Sequence, residues 1–323
     1  MNSSHICQYL YKEIQEHYVK GKVHSVFENS FNVLDGDNRL ISFLSSNKPM
    51  APHSIKLKDQ ISFIDVGLER GQELEFHQDY VLIKDLNKKI NYGKAFPWDK
   101  KPILFTNEKL RKDLTENVSI KIKKIGEFLL NEGSKEGIYP LLQVLRGKIK
   151  GIDTILADNI TLGRNEEFIK ERFLDFMDSY IKGDIDNISS RAQRIVGFGV
   201  GLTPSMDDFI SGMMVSRIYL FSYFNQQTEK ALKLNKAIVK HIKNKTTLVS
   251  EEMLMFASLG EVNEDVRNLM LSLLTNSPID ELYNNLRKVA SFGATSGTDI
   301  ISGIYVGSCI IFNLIQQEVD SNE

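Results

Sequence analysis

The eight residues Ser205-Met206-Asp207-Asp208-Phe209-Ile210-Ser211-Gly212 return 91 positions later as Ser296-Gly297-Thr298-Asp299-Ile300-Ile301-Ser302-Gly303. Five of the eight positions are identical: Ser, the second acid, Ile, Ser and Gly. Each copy follows a glycine-bearing turn, Gly197-Phe198-Gly199-Val200-Gly201-Leu202-Thr203-Pro204 in one case and Phe292-Gly293-Ala294-Thr295 in the other. Each runs into apolar sequence with helical character. Asp208 to Tyr223 is apolar all round and should be a buried central helix, and the last helix is expected from about Gly297 to Gln317. Glycine inside a helix costs about 1 kcal/mol relative to alanine. Matched glycines at 212 and 303 therefore suggest that the two helices pack closely and bring their N-terminal mouths together. Such a junction aims two carboxylates and two sets of unpaired N–H groups at one place.

Working outward, the rest of the C-terminal part is also helical. Leu110, Leu114, Ile120, Ile122 and Ile125 to Leu130 fit an amphipathic helix. Phe168, Phe173, Phe176 and Met177 lie at helical spacing within 166–181, and Ala231 to Ile242 has one basic face. Pro278 opens a further helix, with Asp280 and Glu281 in its first turn. The first hundred residues read differently. Val23–Phe27, Phe31–Leu34, Leu40–Leu44, Ile61–Ile64, Leu74–Phe76 and Tyr80–Ile83 are short runs of β-formers, and Asp35-Gly36-Asp37-Asn38 is a hairpin signal between two of them. The expected fold class is α+β: a β-rich barrel or sandwich over residues 1–100, then a mostly α-helical domain over 101–323. Phe96-Pro97-Trp98-Asp99 marks the boundary.

The chain has 323 residues, 42% hydrophobic and 25% charged, with a net charge of −2. That balance offers nothing to nucleic acid or an anionic membrane surface. The N-terminus has no apolar signal segment, and the most apolar stretch, Ile300 to Ile315, is interrupted by Ser302, Gly303, Gly307, Ser308 and Asn313. Two lone cysteines, Cys7 and Cys309, suit a reducing compartment. A cytoplasmic protein is the expectation. His24, His53 and His77 lie in the β-rich part with no partner evident in the sequence.

In the first junction the glycines allow positive φ and close approach of a ligand. Thr203 is expected to cap the helix, with Pro204 at the first helical position. Asp207 and Asp208 then lie beyond the capping-box position. Adjacent carboxylates at the mouth of an apolar helix need a cation, a donor-rich ligand or solvent. In the second copy Ser296 and Asp299 have capping-box spacing, so a cap alone explains that acid equally well. Asp208 and Asp299 are the candidate catalytic pair. Gly199, Gly201, Thr203, Ser205, Asp207, Thr247, Ser296 and Gly297 are candidates for holding a small anionic or carbamoyl ligand. No cofactor is demanded by the pattern. If a metal is held, Mg²⁺ on Asp207, Asp208 and Asp299 is the natural choice, and a metal-dependent hydrolase is the corresponding alternative. A non-catalytic scaffold subunit that binds a small anion is the other. Lys245-Thr246-Thr247 and Ser250 read first as a helix cap and second as a hydroxyl cluster lining the site. Arg191 and Arg194 precede the glycine turn and are placed to balance an anion or the acids.

The run Gly197-x-Gly199-x-Gly201-Leu202-Thr203-Pro204-Ser205-x-Asp207-Asp208-Phe209-x-x-Gly212 resembles the signature of the AllH-type family of oxamate carbamoyltransferase subunits. Thr246-Thr247, Ser250, Ala257, Gly260 and the closing Thr295-Ser296-Gly297-x-Asp299-x-x-x-Gly303 extend the likeness, and Gly21-x-Val23 opens a similar N-terminal part. Two positions depart from the family pattern: Met206 stands where Gly is usual, and Thr298 where Trp is frequent. The resemblance implies a carbamoyltransferase subunit of allantoin and purine catabolism that works with other subunits. It would move a carbamoyl group between oxalurate and phosphate, giving oxamate and carbamoyl phosphate.

Overall fold

The computed structural model describes residues 1–105, 112–156 and 160–320. Leu110, expected near the start of the first long helix, lies outside the described residues. The chain divides into two units, Met1–Lys101 with Val262–Glu264, and Pro102–Glu261 with Asp265–Glu323.

The hairpin signal at 35–38 is real. The Asp35 carboxylate accepts the N–H groups of Asp37 and Arg39 at 2.9 and 2.8 Å, and Asn38 takes the left-handed conformation that asparagine tolerates. Around it stand β1 (Ser3–Cys7), α1 (Gln8–Glu16), β2 (Lys20–Phe27), β3 (Ser30–Asp35), β4 (Leu40–Leu44), β5 (Ser54–Leu57), β6 (Glu73–Phe76), β7 (Tyr80–Ile83), β8 (Lys88–Asn91) and β9 (Phe96–Trp98). They form one nine-stranded sheet in the order β8-β7-β6-β2-β3-β4-β5-β1-β9. The sheet curls on itself until Asn2 meets Asn91, whose N–H donates to the Met1 carbonyl at 2.9 Å. Inside, Phe31 stacks on Phe43 at 4.4 Å and meets Phe63 edge-on at 4.8 Å. The fold class is thus α+β, with the β-rich part first.

One expectation in this unit needs correction. Ile61–Ile64 is not a strand but the approach to a turn over residues 63–67; its Phe63 is buried in the core and donates its N–H to the Glu28 carbonyl at 2.9 Å. Phe96-Pro97-Trp98 is the last strand, lying at the sheet edge where proline's missing N–H is tolerated. The histidines have local partners. His53 is buried with Nδ1 2.7 Å from the Leu40 carbonyl, His77 stacks on Tyr80 at 4.5 Å, and His24 sits beside Ser25.

The second unit is built from α2 (Lys112–Asn131), α3 (Tyr139–Leu142), α4 (Arg164–Lys182), α5 (Ile185–Ala192), α6 (Ser205–Tyr223), α7 (Thr228–Val239), α8 (Leu248–Ala257), α9 (Glu264–Leu274), α10 (Ile279–Ala290) and α11 (Ser296–Asp320). Every residue of α6 except Phe221 is buried, as its unbroken apolar run requires. By length and composition α11 would span a bilayer, but 89% of that window is buried inside the protein, the behaviour of a core helix.

The two long helices cross with their backbones in contact. A Cβ on Gly212 would lie 2.2 Å from the Ile300 carbonyl oxygen and 2.8 Å from the Ile304 nitrogen. A Cβ on Gly303 would lie 2.0 Å from the Phe209 carbonyl oxygen and 3.0 Å from the Met213 nitrogen. Ile300 and Ile304 occupy in the second copy the positions of Phe209 and Met213 in the first. The crossing therefore has a local two-fold character. The repeated glycines mark its centre, and the two N-terminal mouths share one end.

Candidate functional site

Matching sequence becomes matching helix position. Pro204 is the N-cap of α6, so Ser205, Asp207 and Asp208 are the first, third and fourth helical residues. α11 begins at Ser296, which gives Ser296, Thr298 and Asp299 the same ranks. Two expected caps are thereby corrected. Thr203 does not cap α6, and Pro204 stands one position earlier than expected. Ser296 and Asp299 do not form a capping box, because Asp299 lies one residue beyond the box position and its N–H goes to the Thr295 carbonyl.

The third residue of each helix ties down a neighbouring loop. One Asp207 oxygen accepts the Gly197 N–H at 2.8 Å; the other accepts the hydroxyls of Thr246 and Ser250, the latter at 2.6 Å. Thr298 accepts the N–H of Ser134 at 3.3 Å. Burial raises the Asp207 carboxyl above its usual range, and the Ser250, Thr246 and Gly197 donors oppose that rise. This carboxylate is committed to the protein on both oxygens. It is a clasp between the glycine turn and the start of α8, not a free ligand.

The fourth residues behave differently. Asp208 and Asp299 are 1% and 0% exposed, and the Oδ2 of each has no hydrogen-bond partner among the described residues. An unpaired buried carboxylate oxygen is costly. Burial pushes Asp208 up to about 8, opposed by the Ser296 hydroxyl and reinforced by the charge of Asp299. Burial also pushes Asp299 up to about 6, against the stabilising N–H of Ile138, which donates to Oδ1 at 2.8 Å. The serines are exchanged between the copies: the Ser296 hydroxyl favours the charged form of Asp208, and the Ser205 hydroxyl that of Asp299. Thr203 and Ser296 join hydroxyls at 3.0 Å across the same mouth.

One wall of the mouth is the glycine turn. Gly199, Val200, Gly201 and Leu202 are exposed, and Val200 is 91% so. Gly199 and Gly201 have φ of +118° and +101°, a conformation that side chains resist. Among the described residues, no acceptor takes the N–H groups of residues 199–203. Successive backbone N–H groups left without a protein acceptor can hold an anion. A second wall is Ser134–Ile138, where a Cβ on Gly137 would lie 2.5 Å from Asp299 Oδ1. Sequence reasoning missed this loop. Gly133 and Gly137 were visible, but nothing local connects them to a residue 162 positions away.

The candidates thus divide. Thr203, Ser205, Asp208, Ser296 and Asp299 gather at the mouth, with Gly199 and Gly201 on its exposed wall. Thr247 caps α8 by accepting the Ser250 N–H and donates to the Leu202 carbonyl at 2.5 Å, so its hydroxyl supports the turn. Gly297 packs against the end of α10, where a Cβ would lie 1.9 Å from the Val289 carbonyl oxygen, and its N–H goes to Phe292. Met206, where glycine is usual, is fully buried. Arg191 bonds the Asp175 carbonyl and Ser179, and Arg194 pairs with Asp175; neither hydrogen bond is to the acids at the mouth. With Asp207 committed, no group of three His, Cys, Asp or Glu side chains among the described residues is arranged to hold a metal ion.

A family model described as oxamate carbamoyltransferase subunit AllH matches residues 195–308, the segment that holds both copies of the motif. A second, described as the AllH family N-terminal domain, matches residues 2–96. No solved structure matches the chain.

Proposed function

The chain belongs to the AllH family, and from that premise we propose that it supplies the carbamoyl-holding site of an oxamate carbamoyltransferase that is completed by other subunits. The observation that carries this reading is the pair of buried, unpartnered carboxyl oxygens on Asp208 and Asp299 beside an exposed turn rich in free N–H groups. A substrate of this class has the same two ends. Oxalurate and carbamoyl phosphate each carry an NH₂-bearing carbonyl at one end and an anion at the other. The acids suit the first end, and the glycine turn and the α6 mouth suit the second.

In the transfer, a phosphate oxygen attacks the terminal ureido carbonyl carbon of oxalurate. The bond from that carbon to the oxamate nitrogen breaks, and the nitrogen takes up a proton. Carbamoyl phosphate and oxamate are the products. The enzyme must hold both reactants in line and stabilise the oxygen that gains charge. Asp208 and Asp299 hold the carbamoyl end; Ser205, Ser296 and Thr203 fix the two acids; Gly199 and Gly201 shape the anion cradle. Asp207 and Thr247 keep the turn in place.

The test is oxalurate phosphorolysis by the complex purified on the tagged chain from its own cells. Carbamoyl phosphate should form, and Asp299→Ala should abolish it while the complex still assembles. An assembled Asp299→Ala complex that turns over at the wild-type rate defeats the proposal.

A further inference from the structure

The local two-fold of the crossing is broken at the acids themselves, and the break points to how a ligand is read. Asp299 Oδ1 accepts a backbone N–H from Ile138 at 2.8 Å. A backbone N–H can only donate, so it favours a carboxylate at that position. Asp208 has no backbone donor and is approached only by the hydroxyls of Ser296 and Thr203. A hydroxyl donates or accepts equally well, so it tolerates a protonated neighbour. Burial and, after it, the charge of Asp299 both favour the neutral form of Asp208.

We infer that Asp208 and Asp299 together read the amide edge of a carbamoyl or ureido group, Asp208 as the neutral acid donating from Oδ2 to the carbonyl oxygen and Asp299 as the carboxylate accepting the N–H. This deepens the proposed function and rests on it. The Oδ2 atoms of Asp208 and Asp299 are the two carboxyl oxygens among the buried polar atoms that lack a partner within the described residues, one from each copy of the motif. The higher position of Asp208, about 8 against about 6 for Asp299, favours the same division at neutral pH. A carboxylate ligand end has no N–H to give Asp299 and brings a second charge into a buried acidic site. The pair therefore selects amides and rejects carboxylates of the same shape.

Oxamate and oxalate make the comparison, because they differ only by NH₂ in place of O⁻. Calorimetric titration of the full-length wild-type chain should show oxamate binding at least about tenfold tighter than oxalate, the scale of one lost hydrogen bond to a charged group. Asp208→Asn keeps an N–H donor and should bind oxamate within about threefold of wild type. In Asp299→Asn the Ile138 N–H claims the side-chain oxygen and leaves NH₂ facing the ligand's N–H. Oxamate binding should then weaken at least about tenfold. Oxalate bound as tightly as oxamate overturns the inference without any variant. So do equal losses in two Asn variants that melt like wild type, or the larger loss at position 208; the site reading survives those results. Absence of oxamate binding by the wild-type chain removes the site reading and the inference with it.

Discussion

Gly212 and Gly303 hold the same position in the two copies of the motif, and each removes the side chain exactly where the other helix's backbone passes. Their virtual Cβ atoms fall 2.2 and 2.0 Å from carbonyl oxygens of the partner helix. A methyl group cannot be accommodated there by a side-chain rotation, because backbone is what it meets. Gly212→Ala should force α6 and α11 apart and cost about 2–3 kcal/mol or more, against the small gain in helix propensity. That corresponds to a melting temperature lower by about 5–10 °C for a unit of this size. A thermal melt unchanged in Gly212→Ala would mean that the crossing is not the close one described.

Asp207 gives a contrasting case. Its oxygens gather Gly197, Thr246 and Ser250, so removing its charge leaves a turn and a helix start without their common acceptor. Asp207→Ala should destabilise by about 2–4 kcal/mol, the cost of losing several hydrogen bonds to one buried carboxylate. The loss should be accompanied by faster proteolytic cleavage within 197–203. Urea unfolding and limited proteolysis check both parts. Wild-type stability with intact protection of the turn would show that the clasp is not needed.

Much of this arrangement was legible because both signals were local in sequence. The repeat identified the two helices, and glycine at identical ranks implied that they cross. What escaped was set by partners distant along the chain. Asp207 and Asp208 are adjacent and chemically identical, yet one is satisfied by residues 197, 246 and 250 and the other is left with a free oxygen. Nothing in the pattern distinguishes them. Thr247 looked like a ligand hydroxyl because its donor and acceptor capacity is generic; only the fold shows Leu202 and Ser250 consuming it. The cover that Ile138 provides for Asp299 comes from a short loop between helices, with no spacing rule to announce it. In the β-rich unit, hairpin chemistry found β3 and β4. The polar strand β1 was missed because its pairing with β5 and β9 is non-local.

The raised carboxyls make stability depend on pH in a defined direction. A carboxyl with a folded-state pKa above its unfolded value binds more protons when folded, so its contribution is largest at low pH and is lost as pH rises. For Asp208 the window runs from the ordinary aspartate value of 3.8 up to about 8, and for Asp299 from 3.8 to about 6. Asparagine carries no such penalty. The stability of Asp208→Asn relative to wild type should therefore rise steadily between about pH 5 and pH 8. Paired thermal melts across that range supply the measurement. A difference independent of pH would show that Asp208 titrates like a solvated acid.

The glycine turn offers a test free of packing effects, because Val200 is 91% exposed and its replacement disturbs almost nothing. Surface substitutions of this kind change stability by about 0.5 kcal/mol or less. Val200→Asp places a carboxylate beside the free N–H groups of residues 199–203, and should weaken the binding of inorganic phosphate or carbamoyl phosphate about three- to tenfold at low salt. Val200→Asn has nearly the same shape without the charge and should bind as wild type does. Raising the ionic strength to about 0.5 M should shrink the difference, since an exposed charge is screened over a few ångströms there. Titrations of the three proteins at two salt concentrations separate the possibilities. If the Asp and Asn variants bind phosphate equally, the anion does not sit on this turn. The negative end of the ligand would then have to be held by another subunit.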